Sequence, residues 1–140
     1  MRLAELFPFW TGALEELARA VEGLEQSQLH WLPVGGKNSI YWLCEHIIEV
    51  AQRDVEAGLA GRTKTPARAT DGASLAAELR RLAQVTGEFL QHTCIGHWNA
   101  KDPSRRPVHD SLWNALIELL HHRGQVFLLL RLQGRVPPGI

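Results

Sequence analysis

Cysteine is scarce in this chain: Cys44 and Cys94 are the only two among 140 residues. So few cysteines argue against a disulfide framework and against a cysteine-based zinc site. We expect both thiols to be buried and reduced. The start of the chain lacks the apolar core of a signal peptide, and no run approaches the roughly 18 apolar residues of a membrane span. We therefore expect a cytoplasmic protein without a membrane partner.

An excess of charge of either sign is also missing. Lysine and arginine together number 15, and aspartate and glutamate together number 15, so the formal net charge is zero. A neutral chain without a basic stripe lacks the electrostatic surface that nucleic acids bind, so we expect no nucleic-acid partner. A glycine-rich phosphate loop and a nucleophile elbow are absent too, which disfavours the nucleotide-binding and hydrolase classes that depend on them.

Apolar residues make up 45 % of the chain, and in four segments they recur at steps of three and four, the period of a helix. Period-two alternation, the mark of strands, is missing. The first segment runs from about Leu3 to Leu24. Pro8 either kinks this helix or lies in the first turn of a helix that begins later. A chain of this length can bury one core, so we predict a single all-α domain over residues 1–140.

Three further helices follow the first, separated by polar connections rich in glycine or proline. Each begins near a short polar residue that can cap its first turn. Four helices of about twenty residues joined by loops of about ten predict a four-helix bundle. The predicted bounds are Asn38 or Ser39 to about Leu59, Asp71 or Ser74 to near Gly96, and Asp110 or Ser111 to Gly134.

The last predicted helix carries two polar residues in an otherwise apolar setting. Glu118 and His122 are four residues apart, so they lie on one face of the helix, one turn from each other. Burying a carboxylate and an imidazole is costly unless a partner satisfies them, and a divalent metal is one such partner. His46, on or beside the apolar face of the second helix, is the best candidate for a third ligand.

Two imidazoles and one carboxylate, with a fourth position open, are a common catalytic zinc arrangement that also suits nickel or iron. An alternative needs no metal: Glu118 and His122 could pair with each other or with an arginine such as Arg53. His121 points about 100° away from His122 around the helix. It could replace His122 as a ligand, or it could contact the ligands without binding the metal itself.

Other residues near these positions carry weaker predictions. Gly124 costs about 1 kcal/mol relative to alanine inside a helix, so we expect a helix or ligand to approach it closely. The five tryptophans should lie mainly in the core or anchor loops, although Trp42 and Trp113 could instead wall a pocket. Cys44 is two residues from His46, so a helix sends their side chains to different faces and disfavours a Cys–His nucleophile pair.

Two stretches of the sequence resemble the DinB/YfiT-like family of metal-binding four-helix bundles. One is the segment 38–48, which ends just after His46, and the other is His-Arg-Gly-Gln-Val at 122–126 with Leu-Arg-Leu-Gln-Gly at 130–134. The family typically has three histidine ligands, and Glu118 stands where the second is usual. In the related mycothiol-dependent isomerases a glutamate at the matching place is itself a ligand. The resemblance therefore implies His46, Glu118 and His122 as the metal ligands.

Members of this family known to be enzymes are mostly transferases and isomerases that use bacillithiol, mycothiol or glutathione. The resemblance implies one divalent metal ion, zinc first and nickel or iron as alternatives, and a small-molecule substrate with a low-molecular-weight thiol. It also implies a homodimer, which the apolar breadth of the first and last helices supports. We predict a metal-dependent thiol S-transferase or hydrolase. The alternative is a non-catalytic bundle that acts as a structural or partner-binding module.

Overall fold

The computed structural model describes residues 1–61, 68–94, 96 and 108–138, and most of these residues are helical. They contain no strand, only one isolated bridge between Arg2 and Cys94. The prediction of an all-α protein is confirmed. The helical elements of the described residues are α1 (Leu3–Leu6), α2 (Trp10–Val21), α3 (Gln26–Leu29), α4 (Ile40–Val50), the π-helical segment Ala51–Ala57, α5 (Gly72–His92) and α6 (Val108–Leu132).

Four long elements form the predicted four-helix bundle: α2, α4 with its π-helical extension, α5 and α6. Helix α2 packs mainly on α5, and α4 packs mainly on α6. Helix α6 also contacts α2, and the π-helical segment lies against both α5 and α6. The apolar positions predicted from the helical period supply most of the core, because each helix turns its apolar face inward. Fully buried examples are Leu14, Leu17, Ile40, Leu43, Leu75, Leu79, Leu82 and Leu112.

The first predicted helix is divided at Pro8. Helix α1 ends at Leu6, and α2 begins only at Trp10, whose backbone N–H donates to the Phe7 carbonyl across the turn (3.3 Å). Proline lacks the N–H that a helix interior requires. The helix does begin later, as one alternative predicted, but Pro8 precedes its N-cap Phe9 and does not lie in its first turn. The single kinked helix is wrong. The predicted connection 28–37 also differs, because the short α3 extends to Leu29.

Side-chain caps fix the starts of α4 and α5. Ser39 Oγ accepts the backbone N–H of Trp42 at 3.2 Å, so Ser39 is the cap of α4. Asp71 Oδ1 accepts the backbone N–H of Ser74 at 2.8 Å, and Ser74 Oγ accepts the N–H of Asp71 at 3.0 Å. These reciprocal bonds form a capping box. Of the two alternatives for each helix, the structure selects Ser39 and Asp71.

Helix α6 begins at Val108, earlier than the predicted start at Asp110 or Ser111. Asp110 then lies in the first turn, where the positive end of the helix dipole favours a carboxylate. The predicted end is close to the observed one. The helix stops at Leu132, and Gly134 takes a positive φ of 79°, a conformation that glycine adopts without steric cost.

Helices α2 and α5 are joined by a buried polar contact and a close backbone approach. The Trp10 indole N–H donates to Thr86 Oγ1 at 2.7 Å, and the Thr86 hydroxyl donates in turn to the Leu82 carbonyl. At the start of α5, a Cβ on Gly72 would lie 2.3 Å from the Val21 carbonyl oxygen. Only glycine lets the two backbones meet there, which fixes the position of α5 on α2.

The second helix does not continue regularly to Leu59, as predicted, but widens into the π-helical segment. The Gly58 N–H donates to the Arg53 carbonyl, five residues back, at 3.0 Å. The wider turn buries three consecutive residues, Asp54, Val55 and Glu56. A regular α-helix turns 100° per residue and would not bury all three equally.

Buried Glu56 is neutralised from α5. Arg81 Nη2 donates to Glu56 Oε1 at 2.9 Å, and Arg81 also pairs with Glu78 at 2.6 Å. These carboxylates raise the pKa of Arg81, chiefly through the hydrogen bond with Glu56. A buried charge is tolerated only when it is paired, so this contact links the π-helical segment to the bundle.

The two cysteines are both free, which agrees with the reduced state expected. Cys44 is buried, and this burial raises the pKa of its thiol to about 12. Cys94 is exposed, so the prediction that both thiols are buried is wrong. The Cys94 Sγ accepts a hydrogen bond from Arg2 Nη1 at 3.0 Å. Among the described residues, no helix combines the length and apolarity needed to cross a membrane.

Candidate metal centre

The packing of α4 on α6 brings together the three residues predicted as metal ligands. His46 on α4 and His122 on α6 each place Nε2 at 3.0 Å from the same carboxylate oxygen, Glu118 Oε2. One ligand atom from each residue lies within 4.8 Å of the others, so this cluster could hold a metal ion. The four-residue spacing on α6 places Glu118 and His122 side by side, whereas only the tertiary fold adds His46.

The cluster favours an ionised carboxylate. The pKa of Glu118 is held below its usual value, first by the hydrogen bond with His46 and then by that with His122, against an opposing effect of burial. Glu118 therefore presents a negative oxygen between two imidazoles. An ionised carboxylate with two ring nitrogens is a donor set that suits zinc and other borderline divalent metals.

Gln125 contacts one ring nitrogen of His122 and leaves the other, Nε2, facing the carboxylate of Glu118. The Gln125 Oε1 atom lies 2.6 Å from His122 Nδ1. In this orientation of the Gln125 amide, its oxygen accepts a hydrogen bond from Nδ1–H of His122. A neutral His122 ring then directs the lone pair of Nε2 towards Glu118 Oε2, which also carries lone pairs. Such a contact is favourable only with a proton or a metal ion between the two atoms, and the residues therefore fit a bound cation.

Replacing Gln125 with leucine should weaken zinc binding by about 10- to 100-fold, the usual cost of losing a partner that orients a histidine ligand. The substitution removes the acceptor for Nδ1 while it leaves all three ligands in place. Competition titration of the metal-free protein against a zinc-binding dye would measure the change. Gln133→Leu is the matched control, since Gln133 donates to the Gln28 carbonyl and not to the cluster. Equal affinity of the Gln125 variant and wild type would contradict the orienting role.

Trp42 covers one side of the cluster. Its ring stacks on His46 with centroids 5.1 Å apart and planes within 7°, and it meets the edge of His122 at 6.3 Å. Trp42 is 44 % exposed, so its assignment to the core is wrong, and it walls the cluster instead. Trp113 is also half exposed and packs edge-on against Phe7.

The other tryptophans follow the prediction where the structure describes them. Trp10 is buried in the core, and Trp31 is partly buried against it. Trp98 lies outside the described residues.

The opposite side of the cluster is open to solvent. The side chains of His46 and Glu118 are 30 % and 34 % exposed, and that of His122 is 12 % exposed. Arg53 lies near enough for its positive charge to interact with Glu118. Its guanidinium hydrogen-bonds Asp54 instead (Nε to Oδ1, 2.8 Å), so the predicted alternative of an Arg53–Glu118 pair is not the arrangement found. The partial exposure of His46 and Glu118 leaves the cluster accessible to a small molecule.

The structure disfavours one alternative predicted for His121 and the packing expected at Gly124. His121 is exposed and touches only the ring of His122 among the cluster residues, with centroids 5.0 Å apart. It therefore does not replace His122. A Cβ built on Gly124 would have nothing within 4 Å among the described residues, so the expected close approach of another of the described helices is wrong.

Gln125 follows His122 by three residues, but the sequence prediction assigned it no contact. The three-residue spacing was the available signal, since residues three apart meet on a helix surface. Trp42 and His46 are four residues apart, and this spacing also brings side chains together on a helix surface, where the two rings stack.

The fold and the cluster together define a class: an all-α four-helix bundle with a His–Glu–His group, open to solvent, between two of its helices. The model of the DinB superfamily matches residues 10–126, which is most of the chain. The protein belongs to the DinB superfamily, as the resemblance in its second and last helices predicted. No curated protein shows significant similarity to it.

Proposed function

We propose that this protein binds one divalent metal ion through His46, Glu118 and His122. We further propose that it is an enzyme that activates a low-molecular-weight thiol or water for S-transfer to, or hydrolysis of, a small molecule. The observation that carries the proposal is the convergence of both imidazole Nε2 atoms on Glu118 Oε2, each at 3.0 Å. Membership of a superfamily of this fold agrees with it.

The donor set and its exposure favour a catalytic site over a structural one. Structural zinc sites usually have four protein ligands, whereas catalytic sites have three and leave one position open. The described part of the chain offers three ligands, and two of them are about one-third exposed. Trp42 beside them offers an apolar surface on which a substrate could pack.

The nucleophile is expected to come from outside the chain. Cys44, the cysteine nearest in sequence to the ligands, is buried, and its raised pKa of about 12 leaves it a neutral thiol. A bound divalent metal lowers the pKa of a coordinated water or thiol. Within such a site, Gln125 would hold His122 in one tautomer, and Trp42 would limit the access of solvent from one side.

Zinc is the proposed ion, with nickel or iron as alternatives. Two imidazoles and one carboxylate form a borderline donor set that these three metals share. Metal analysis of protein purified without a nickel column would identify the ion. Affinity should follow the usual order for divalent metals, so metal content from native expression is more informative than titration alone.

The activity is testable with a panel of thiols. We expect the metal-loaded protein to consume thiol in the presence of a small electrophile, with bacillithiol, mycothiol and glutathione compared. Chelation should abolish the reaction, and adding the metal back should restore it. A His46→Ala variant should lose at least about 100-fold of the metal-dependent rate, since it removes a ligand from the proposed activating ion. Full activity in this variant would contradict the proposal.

A second candidate, a non-catalytic bundle, has one observation in its favour. Nε2–H of His46, and of His122 when its ring carries both protons, can donate to Glu118 Oε2, so the carboxylate can have partners without a metal. The chain would then serve as a structural or partner-binding module. Protein purified as above with less than about a tenth of an equivalent of divalent metal would favour this alternative.

A further inference from the structure

An arginine lies beside the candidate metal centre. Arg53 belongs to the π-helical segment and follows His46 by seven residues, so about two helical turns bring it near the same side of this element. The π-helical segment packs against α6, which carries Glu118, and the charges of Arg53 and Glu118 interact. The Arg53 side chain is 59 % exposed, so a positive group borders the cluster and is open to solvent.

A buried carboxylate holds the Arg53 guanidinium in place. Arg53 Nε donates to Asp54 Oδ1 at 2.8 Å, and Arg53 Nη2 donates to Asp54 Oδ2 at 3.2 Å. The Asp54 side chain is only 6 % exposed, so the group that holds the guanidinium is itself fixed in the fold. A bidentate pair sets the direction of a guanidinium as well as its position. Arg53 is therefore oriented before any ligand arrives, which lowers the entropic cost of binding one.

The pair with Asp54 uses only one edge of the guanidinium. Nη1 and the second N–H of Nη2 form another edge, which we call the outer edge of Arg53. Within the described part of the chain, Nη1 has one loose ion pair, with Glu49 Oε1 at 3.6 Å. This distance is too long for a hydrogen bond, and both side chains are more than half exposed, so solvent screens the pair. The outer edge is therefore available to a second carboxylate.

We propose that the outer edge of Arg53 binds a carboxylate group of the molecule on which the metal centre acts. This inference rests on the proposed function, because it places the reactive atom of that molecule at the ion. A guanidinium edge matches a carboxylate with two parallel hydrogen bonds. Trp42 lies four residues before His46 and Arg53 lies seven residues after it, so an apolar surface and a cation flank this ligand. The site would select a molecule with an apolar body and a terminal carboxylate.

Two pairs of probes that differ only at one end of the molecule test this selection. 6-Mercaptohexanoate and 6-mercapto-1-hexanol present the same thiol and end in a carboxylate or a hydroxyl group. 6-Bromohexanoate and 6-bromo-1-hexanol end in the same two groups but carry an electrophilic carbon and no thiol. By isothermal titration calorimetry, the zinc-loaded wild type should bind the acid of a pair about fivefold more tightly than the alcohol. This is the upper range for an ion pair that is open to solvent.

Two variants should change the preference in opposite directions. Arg53→Gln should bring the affinities for acid and alcohol within about twofold of each other, while its zinc affinity stays within about threefold of the wild-type value because no ligand is lost. Glu49→Gln should strengthen binding of the acid at least about twofold, since it removes the carboxylate nearest to Nη1 among the described residues. Arg80→Gln is the matched control: Arg80 is an ion-paired arginine on α5, and its loss should leave the preference unchanged.

The two pairs also distinguish the source of the carboxylate. A preference for the acid in the thiol pair assigns the carboxylate to the thiol, and a preference confined to the bromide pair assigns it to the electrophile; either result supports the proposal. No preference in either pair, or the same preference in Arg53→Gln, would overturn it. Failure of the proposed function would look different, because the wild type would then bind no zinc. In that case the bromide pair, measured on the metal-free protein, still decides whether Arg53 selects the acid.

Discussion

Replacing His122 with alanine is expected to weaken zinc binding about 100-fold or more, a larger loss than that expected for an orienting partner. The variant removes one of two imidazoles that converge on Glu118 Oε2 and leaves a two-ligand site. Isothermal titration calorimetry of the metal-free protein with zinc, with a chelator as competitor, would measure the loss. The apparent affinity should also fall with decreasing pH, because protons compete with the metal for the remaining imidazole.

His121→Ala provides a control that differs by one position. His121 has the same chemistry and the same helix, but it is exposed and lies outside the cluster. Its zinc affinity should remain within about threefold of the wild-type value, since no ligand is lost. If His121→Ala and His122→Ala weakened binding equally, the proposed ligand set would be incorrect. Retention of wild-type affinity in both variants would place the metal elsewhere.

Replacing Arg81 with alanine is expected to destabilise the fold by about 3 kcal/mol, the typical cost of removing one partner from a buried ion pair. Glu56 has a side chain only 4 % exposed, and Arg81 is its hydrogen-bond partner from α5. The variant leaves this carboxylate buried without its counter-charge. Urea unfolding should show the loss of free energy, and the melting temperature should fall by about 10 °C.

Arg80 supplies the matched control, one residue away on the same helix. Arg80 donates to both carboxylate oxygens of Glu22 at 2.8 Å, and Arg81 likewise donates to both carboxylate oxygens of Glu56. Both side chains are largely exposed, and solvent screens such a pair. Arg80→Ala should therefore leave the melting temperature nearly unchanged. A similar loss of stability in both variants would mean that burial of Glu56 does not set the cost.

The local sequence predicted much of the helical structure. Apolar residues at steps of three and four identified the inward faces of the long helices, and buried Leu14, Leu43 and Leu79 confirm them. Breaks in the pattern were harder to interpret. Pro8 predicts either a kinked helix or a helix that begins later, and only the packing of the chain before Trp10 decides between them.

The π-helical segment carried no recognisable signal. Residues 51–57 read as a continuation of α4, because a π-helix differs from an α-helix by only one extra residue per turn. The wider turn buries Asp54 and Glu56. Burial of Glu56 is tolerated because Arg81, on α5, donates a hydrogen bond to its carboxylate. That pairing joins residues 25 positions apart, and helical periodicity describes only neighbours within a few residues.

For the candidate centre, the sequence by itself determined that Glu118 and His122 share one side of a helix, because a separation of four residues fixes their relative direction. The sequence also placed Trp42 one turn before His46, because these two residues are likewise four positions apart. Only the tertiary structure decided that His46 meets Glu118, since the packing of α4 on α6 sets that distance. Exposure was likewise a tertiary property: Trp42 is half open to solvent, and the outer face of α6 remains uncovered within one chain.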